Sequence, residues 1–197
     1  DGERSMNTYL GISSELGPDD VSDSVAGSAE ILFLEGYLYD KPKGKQAFER
    51  AVDLCHKAGG KAGIALSDPF CVDRHRDDFR ALVTDEVDIL FGNELELKAL
   101  YEVDSFEAAI EHVRDDCELA VITAGAHGCY IVSHHEVQQA PAQAVERVLD
   151  TTGAGDLFAA GFLYGHVRGR ELGDCLHMGA ICAGEVISHY GALLEAM

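Results

Sequence analysis

From residue 30 onward the chain alternates short, nearly unbroken apolar runs with longer segments whose apolar positions recur at helical spacing. The runs Ile31-Leu32-Phe33-Leu34, Ala62-Gly63-Ile64-Ala65-Leu66, Val87-Asp88-Ile89-Leu90-Phe91 and Leu119-Ala120-Val121-Ile122-Thr123 predict strands. Between them, residues 44–58, 74–83, 93–101 and 105–116 predict helices. In the first of these Ala47, Phe48, Ala51, Val52 and Leu54 share one apolar face, and Gly59-Gly60 supplies the stop. Strands that are apolar along their whole length are covered on both faces. The pattern therefore predicts a mainly parallel central sheet with helices on either side, a three-layer α/β/α fold with right-handed crossovers. Two further helices, at about 155–168 and 171–189, close the chain. Two stretches break the alternation. Residues 3–12 read as an exposed strand with Met6, Thr8 and Leu10 on one side, and 129–148 reads as a hairpin-like excursion, Cys129-Tyr130-Ile131-Val132 returning through Val145-Glu146-Arg147-Val148. No linker, low-complexity tract or repeat interrupts residues 1–197, so a single α/β domain is expected.

Composition narrows the function. Hydrophobic residues at 47% and charged residues at 25% exclude a disordered chain. Fifteen Lys and Arg against 35 Asp and Glu leave a formal charge of −20, which repels phosphate backbones and anionic headgroups. Neither nucleic acid nor a membrane is an expected partner. An anionic ligand would need a local device to receive it, such as backbone N–H groups, a helix N-terminus or a divalent cation. The six cysteines contain no Cys-x-x-Cys pair and lie mostly in apolar runs, which predicts buried thiols in a reducing, cytoplasmic compartment. The nine histidines show no zinc-ligand spacing. The opening Asp-Gly-Glu-Arg has neither the basic nor the apolar region of a signal peptide, and without an initiator Met it reads as a start in mid-protein.

In an open α/β sheet ligands sit beyond the carboxyl ends of the strands, and the residues there are polar and Gly-rich: Ser67-Asp68-Pro69-Phe70, Gly92-Asn93-Glu94-Leu95-Glu96, Ala124-Gly125-Ala126-His127-Gly128 and Asp150-Thr151-Thr152-Gly153-Ala154-Gly155-Asp156. The last is the strongest signal. It describes a tight turn running into a helix, where several N–H donors and the helix dipole converge on one spot that suits an anion. Asp156 falls in the first turn of that helix. In phosphoryl transfer the protein chiefly positions groups and stabilises charge while a carboxylate takes the proton of the attacking hydroxyl, and this one segment holds both parts. A glycine-rich helix start that merely caps is the bland alternative.

Asp150-Thr151-Thr152-Gly153-Ala154-Gly155-Asp156 with Leu157-Phe158-Ala159-Ala160-Gly161-Phe162 closely resembles the C-terminal signature of the PfkB carbohydrate kinase family, the ribokinase and adenosine kinase group. The resemblance implies that Gly153, Ala154 and Gly155 form the anion hole, that Thr152 beside it binds the nucleotide, and that Asp156 is the catalytic base. Asn93 and Glu96 match the family's Asn-x-x-Glu element, which organises Mg²⁺, its waters and the nucleotide phosphates; the same two residues also fit a capping box, and the two roles are compatible. Thr123, Gly125 and Gly128 match a Thr-x-Gly-x-x-Gly loop near the ATP phosphates, although a hairpin needs such glycines in any case. The segment from His177 to Ala192 resembles the helix and Gly-Ala stretch that lines the adenine pocket and, in many members, a monovalent-cation (K⁺) site. His177 stands where many members have Asn, and a lone His on an apolar helix is commonly a core residue. Arg4 and Asp68-Pro69 share the family look more weakly.

The resemblance implies a ribokinase-like fold lacking its N-terminal part and most of its lid, with residues 1–12 a remnant of a lid strand. It also implies an ATP- and Mg²⁺-dependent kinase acting on a hydroxymethyl group of a small-molecule sugar or nucleoside, nearer to adenosine-kinase-like sugar kinases than to phosphofructokinases, and pairing as a homodimer. A non-catalytic nucleotide-binding module, an inactive fragment of such a kinase, and a structural partner that uses the acidic surface are the competing readings.

Overall fold

A computed structural model describes residue 7 and residues 9–194 of the chain. Half of the strand expected at 3–12 lies outside the described residues, as does Arg4. Its described end is a 3-10 turn, Gly11–Glu15, rather than a strand. Six strands form one sheet whose order follows the chain: β1 (Ile31–Glu35), β2 (Lys61–Ala65), β3 (Ile89–Asn93), β4 (Leu119–Thr123), β5 (Cys129–Ser133) and β6 (Val137–Ala140). β1, β2 and β3 are parallel, with Leu34 opposite Ile64 and Ile64 opposite Leu90. The helices are α1 (Asp23–Ala26), α2 (Pro42–Lys57), α3 (Pro69–Asp85), α4 (Glu94–Tyr101), α5 (Phe106–Asp116), α6 (Ala154–His166) and α7 (Leu172–Val186). The chain divides into two compact units.

The first unit comprises Tyr9–Ile122 with Val132–His135. Its core joins the inner faces of the helices to the strands: Phe48 and Val52 of α2, Phe79 and Val83 of α3, Leu97 and Leu100 of α4 and Val113 of α5 pack with Ile64, Leu90 and Ile122. Truncating a buried phenylalanine such as Phe79 to Ala would cost about 3–5 kcal/mol, part of it for the cavity left behind. α2 opens on Pro42, whose missing N–H is no loss at a first helical position. α3 begins at Pro69, five residues before the expected start at 74, because the Asp68 carboxylate caps it by accepting the Cys71 N–H at 2.8 Å. The helix breaks at His75, with φ −129° and ψ 24°. Around the break, Asp40 accepts from Arg74 Nε at 3.1 Å, Arg74 Nη2 at 2.9 Å and His75 Nε2 at 2.8 Å.

The second unit comprises Thr123–Ile131 and the chain from Glu136 onward. After β5 the chain returns through β6 at Val137–Ala140, and 145–148, where the return was expected, is not a strand. α6 and α7 pack backbone to backbone across a seam of glycines. A Cβ on Gly161 would stand 2.7 Å from the Met178 carbonyl oxygen, one on Gly179 would stand 2.8 Å from that of Phe158, and one on Gly165 would meet Cys175 Sγ at 2.9 Å. Phe158, Phe162, Cys175, Leu176 and Val186 fill the interior around this seam. Among the described residues all six cysteines are free thiols, and all but Cys182 are buried. No helix of the described residues is long and apolar enough to cross a membrane.

Candidate functional site

In the second unit, the turn before α6 is built from Asp150 forward. One carboxylate oxygen of Asp150 accepts the Thr152 N–H at 2.9 Å and the Thr152 hydroxyl at 2.6 Å, and the other accepts the Gly191 N–H at 3.2 Å. Gly153 is the N-cap of α6 and adopts a left-handed conformation, φ 81° and ψ 0°. A Cβ there would lie 2.9 Å from Ala192 Cβ and 3.0 Å from its carbonyl oxygen, so both the backbone and the packing require glycine. The Ala154 N–H is satisfied by the Thr151 carbonyl at 3.2 Å, and the Leu157 N–H by that of Gly153 at 2.8 Å. The two donors between them, the N–H groups of Gly155 and Asp156, have no partner among the described residues. Both residues are exposed, and a Cβ on Gly155 would meet nothing within 4 Å. Two N–H groups at the positive end of a 13-residue helix therefore face open space, and the Asp156 carboxylate stands in the same first turn. An anion can be received there with a proton acceptor at its side.

The loop after β4 treats its glycines differently. The Ala124 N–H donates to the Gly128 carbonyl at 2.8 Å, and the Gly128 N–H to that of Gly125 at 3.1 Å, which closes a tight turn beyond Thr123. Gly125, at φ 53°, has no atom within 4 Å of its Cβ position. At Gly128, φ 95°, a Cβ would lie 2.1 Å from the Ala140 carbonyl oxygen, so this glycine serves the packing of β6. On α7, His177 is exposed, not the core residue its apolar surroundings predict. A shallow cavity of about 300 Å³ lies along later turns of the same helix, lined by Gln143, Ala144, Val145, Glu146, Ile181, Gly184, Glu185 and Ser188, and His177 is not among the lining residues.

In the first unit, Asn93 ends β3 and caps α4. Its side-chain oxygen accepts the Glu96 N–H at 2.9 Å, while Glu96 Oε2 accepts the Asn93 N–H at 2.8 Å and Glu96 Oε1 accepts from Asn93 Nδ2 at 2.6 Å. The capping box expected from the sequence is present. Glu96 is only 6% exposed, the one buried charged residue among those described. Burial pushes its carboxyl up to about 7; the charges of Asp68 and Glu35 act in the same direction, and the Asn93 N–H bond acts against them. Asp68 also raises the Tyr37 hydroxyl pKa, after burial, by hydrogen bonding and charge. Ser67 donates to Glu35 and accepts the Tyr37 N–H at 3.1 Å, and it holds φ 75°, unusual for a residue with a side chain. Glu35, Tyr37 and Ser67 are thus drawn into the surroundings of Glu96. The sequence signal for Glu35 is a single carboxylate ending an apolar run.

The family model for pfkB family carbohydrate kinases matches residues 1–196. The chain belongs to the pfkB family. It is 46% identical to an adenosine kinase of Sinorhizobium meliloti, a match that covers 98% of this chain and 59% of that one with a TM-score of 0.95. It is 44% identical to a probable sugar kinase of Rhizobium etli CFN 42, covering 100% of this chain and 60% of that one with a TM-score of 0.97. A 5-dehydro-2-deoxygluconokinase of Bacillus subtilis strain 168 is 30% identical over 189 residues, 92% of this chain and 58% of its own length. The chain spans about half the length of the curated relatives it matches. The ribokinase-like α/β architecture expected from the sequence is the one these neighbours share.

Proposed function

We propose that the protein is an ATP- and Mg²⁺-dependent phosphotransferase acting on a hydroxymethyl group of a sugar or nucleoside, on the adenosine-kinase-like side of its family. The observation that carries this reading is the open pair of N–H donors at Gly155 and Asp156, in one turn with the Asp156 carboxylate. In this reading Gly153, Ala154 and Gly155 shape the turn that receives the migrating phosphoryl group, and Asp156 takes the proton of the attacking hydroxyl. Thr152, tied to Asp150, holds the turn in register. Asn93 and Glu96 supply hard oxygen atoms suited to Mg²⁺ through its waters, and the metal would neutralise charge on the phosphates. The open space at Gly125 suits close approach of a nucleotide phosphate to the loop from Thr123 to Gly128. The cavity on α7 has a volume suited to a heteroaromatic base, and an apolar wall at Val145 and Ile181. His177, exposed on α7 four residues before Ile181 and outside that lining, would contact the nucleotide from the preceding turn of the helix.

The test is a panel of sugars and nucleosides presented to the intact protein with ATP and Mg²⁺ and scored by ADP release. Acceptor-dependent ADP release that collapses in Asp156→Asn supports the reading. ATP binding with no release for any acceptor would favour a nucleotide-binding module instead.

A further inference from the structure

Gly92 is a glycine inside a strand without an evident backbone reason for being one. Its φ is not in the left-handed region, and glycine in a strand gives up side-chain packing and costs chain entropy. Its steric surroundings differ from its backbone. A Cβ at this position would stand 3.1 Å from Leu66 Cδ1 and 3.2 Å from Glu96 Oε2. Leu66 is fully buried in the core of its unit and has no room to retreat. The carboxylate is the other wall, and it is held from both sides, with Oε2 taking the Asn93 N–H and Oε1 the Asn93 amide. One methyl group at residue 92 would therefore press on the oxygen that closes the capping box.

We propose that Gly92 is a positioning residue: its lack of a side chain leaves the seat in which the Glu96 carboxylate lies, and through that seat it sets the direction of the Asn93 amide. The functional consequence rests on the reading above, in which Asn93 and Glu96 organise Mg²⁺. Substituting Gly92 would then weaken the Mg²⁺ support of nucleotide binding, so that more Mg²⁺ is needed, without touching a ligand directly. Outer partners of a metal site are commonly worth about tenfold or more in affinity.

The experiment is a double-mutant cycle in the intact protein with Gly92→Ala, Glu96→Asp and the pair together. Glu96→Asp withdraws the carboxylate by one methylene and makes room for the new methyl. Two quantities are read: the Mg²⁺ concentration that half-saturates ATP binding by calorimetry, and the melting temperature. Gly92→Ala is expected to raise the Mg²⁺ midpoint about tenfold. In the Glu96→Asp background the same change should add little, and the two effects should be non-additive in melting temperature as well. Additivity in both readouts would overturn the proposal, since Gly92 would then act on something other than Glu96. Non-additive melting with a Mg²⁺ midpoint unmoved in all three variants would support the steric seat, overturn its functional consequence and remove Asn93 and Glu96 from metal organisation. A fall in melting temperature in Gly92→Ala with its Mg²⁺ midpoint unmoved, while Glu96→Asp moves that midpoint, would mark Gly92 as a packing residue only.

Discussion

Gly155→Ala separates a folding role from a catalytic one within a single turn. The substitution adds one methyl group at the second position of α6, where nothing in the protein lies within 4 Å and no left-handed conformation is required. Alanine is the better helix former by up to about 1 kcal/mol, less at an end than in the interior. Folding should therefore be unharmed or slightly improved, and the melting temperature should rise by no more than about 2–4 °C for a domain of this size. Turnover should behave oppositely. A phosphoryl oxygen accepting from the Gly155 N–H would sit about 2.7–3.1 Å from that nitrogen, within contact distance of the new methyl. Loss of one such donor typically lowers kcat by about 10²–10³, or roughly 2.7–4 kcal/mol of transition-state stabilisation. The assay is ADP release by the intact protein alongside differential scanning calorimetry. Normal turnover would show that the space in front of Gly155 is not where the phosphoryl group travels. A drop in turnover matched by a drop in melting temperature would refute the steric argument itself.

Asp156→Asn keeps the shape of the residue and removes the base, so ATP affinity by calorimetry should stay within a few-fold while kcat falls about 10²–10⁴-fold; unchanged turnover would exclude Asp156 from proton transfer. Gly153→Ala meets both the left-handed φ of 81° and the 2.9 Å contact with Ala192 Cβ, and it should destabilise by at least about 1–2 kcal/mol, visible as a lower melting temperature. Glu96 has a folded-state pKa near 7 against 4.5 for an unperturbed carboxyl, so between those values the folded state holds a proton that the unfolded state has released. Its contribution therefore declines as pH rises from 4.5 through 7, by about 3 kcal/mol at most, and is level above that. Glu96→Gln should flatten this segment of the stability profile in urea melts at pH 5 and pH 8, and identical slopes in the two proteins would contradict the burial account.

What the sequence made legible was whatever is encoded within one turn or one strand. Four apolar runs became β1 to β4 within two residues of their expected bounds at either end, because a doubly covered strand needs apolar side chains on both faces. The early start of α3 was also readable in principle, since an aspartate followed by proline is both an N-cap and a favoured first position. The return strand was misplaced because β6, Val-Gln-Gln-Ala, is largely exposed and carries almost no apolar signal, whereas Val145 and Val148 carry that signal without being in a strand. Burial of Glu96 was not legible. A carboxylate in the first turn of a helix ordinarily faces water, and only the bare backbone at Gly92 and the reciprocal bonds from Asn93 draw it inward. The anion turn stands between these cases: its glycines and Asp156 announced a helix start, but the wall that confines Gly153 is Ala192, 39 residues beyond it, whereas Gly155 meets nothing within 4 Å.

The glycine seam between α6 and α7 bears on how Asp156 could be put out of line from afar. Gly165 lies nine residues beyond Asp156 on the same helix, about 14 Å along its axis. There a Cβ would meet two sulfurs, Cys175 Sγ at 2.9 Å and Met178 Sδ at 3.0 Å, so an added methyl would press the two helices apart and the displacement would reach the far end of the rod. A variant at such a place is expected to melt earlier, at an overpacking cost of about 1–3 kcal/mol, and at the same time to swing Asp156 away from the space that the Gly155 and Asp156 N–H groups face.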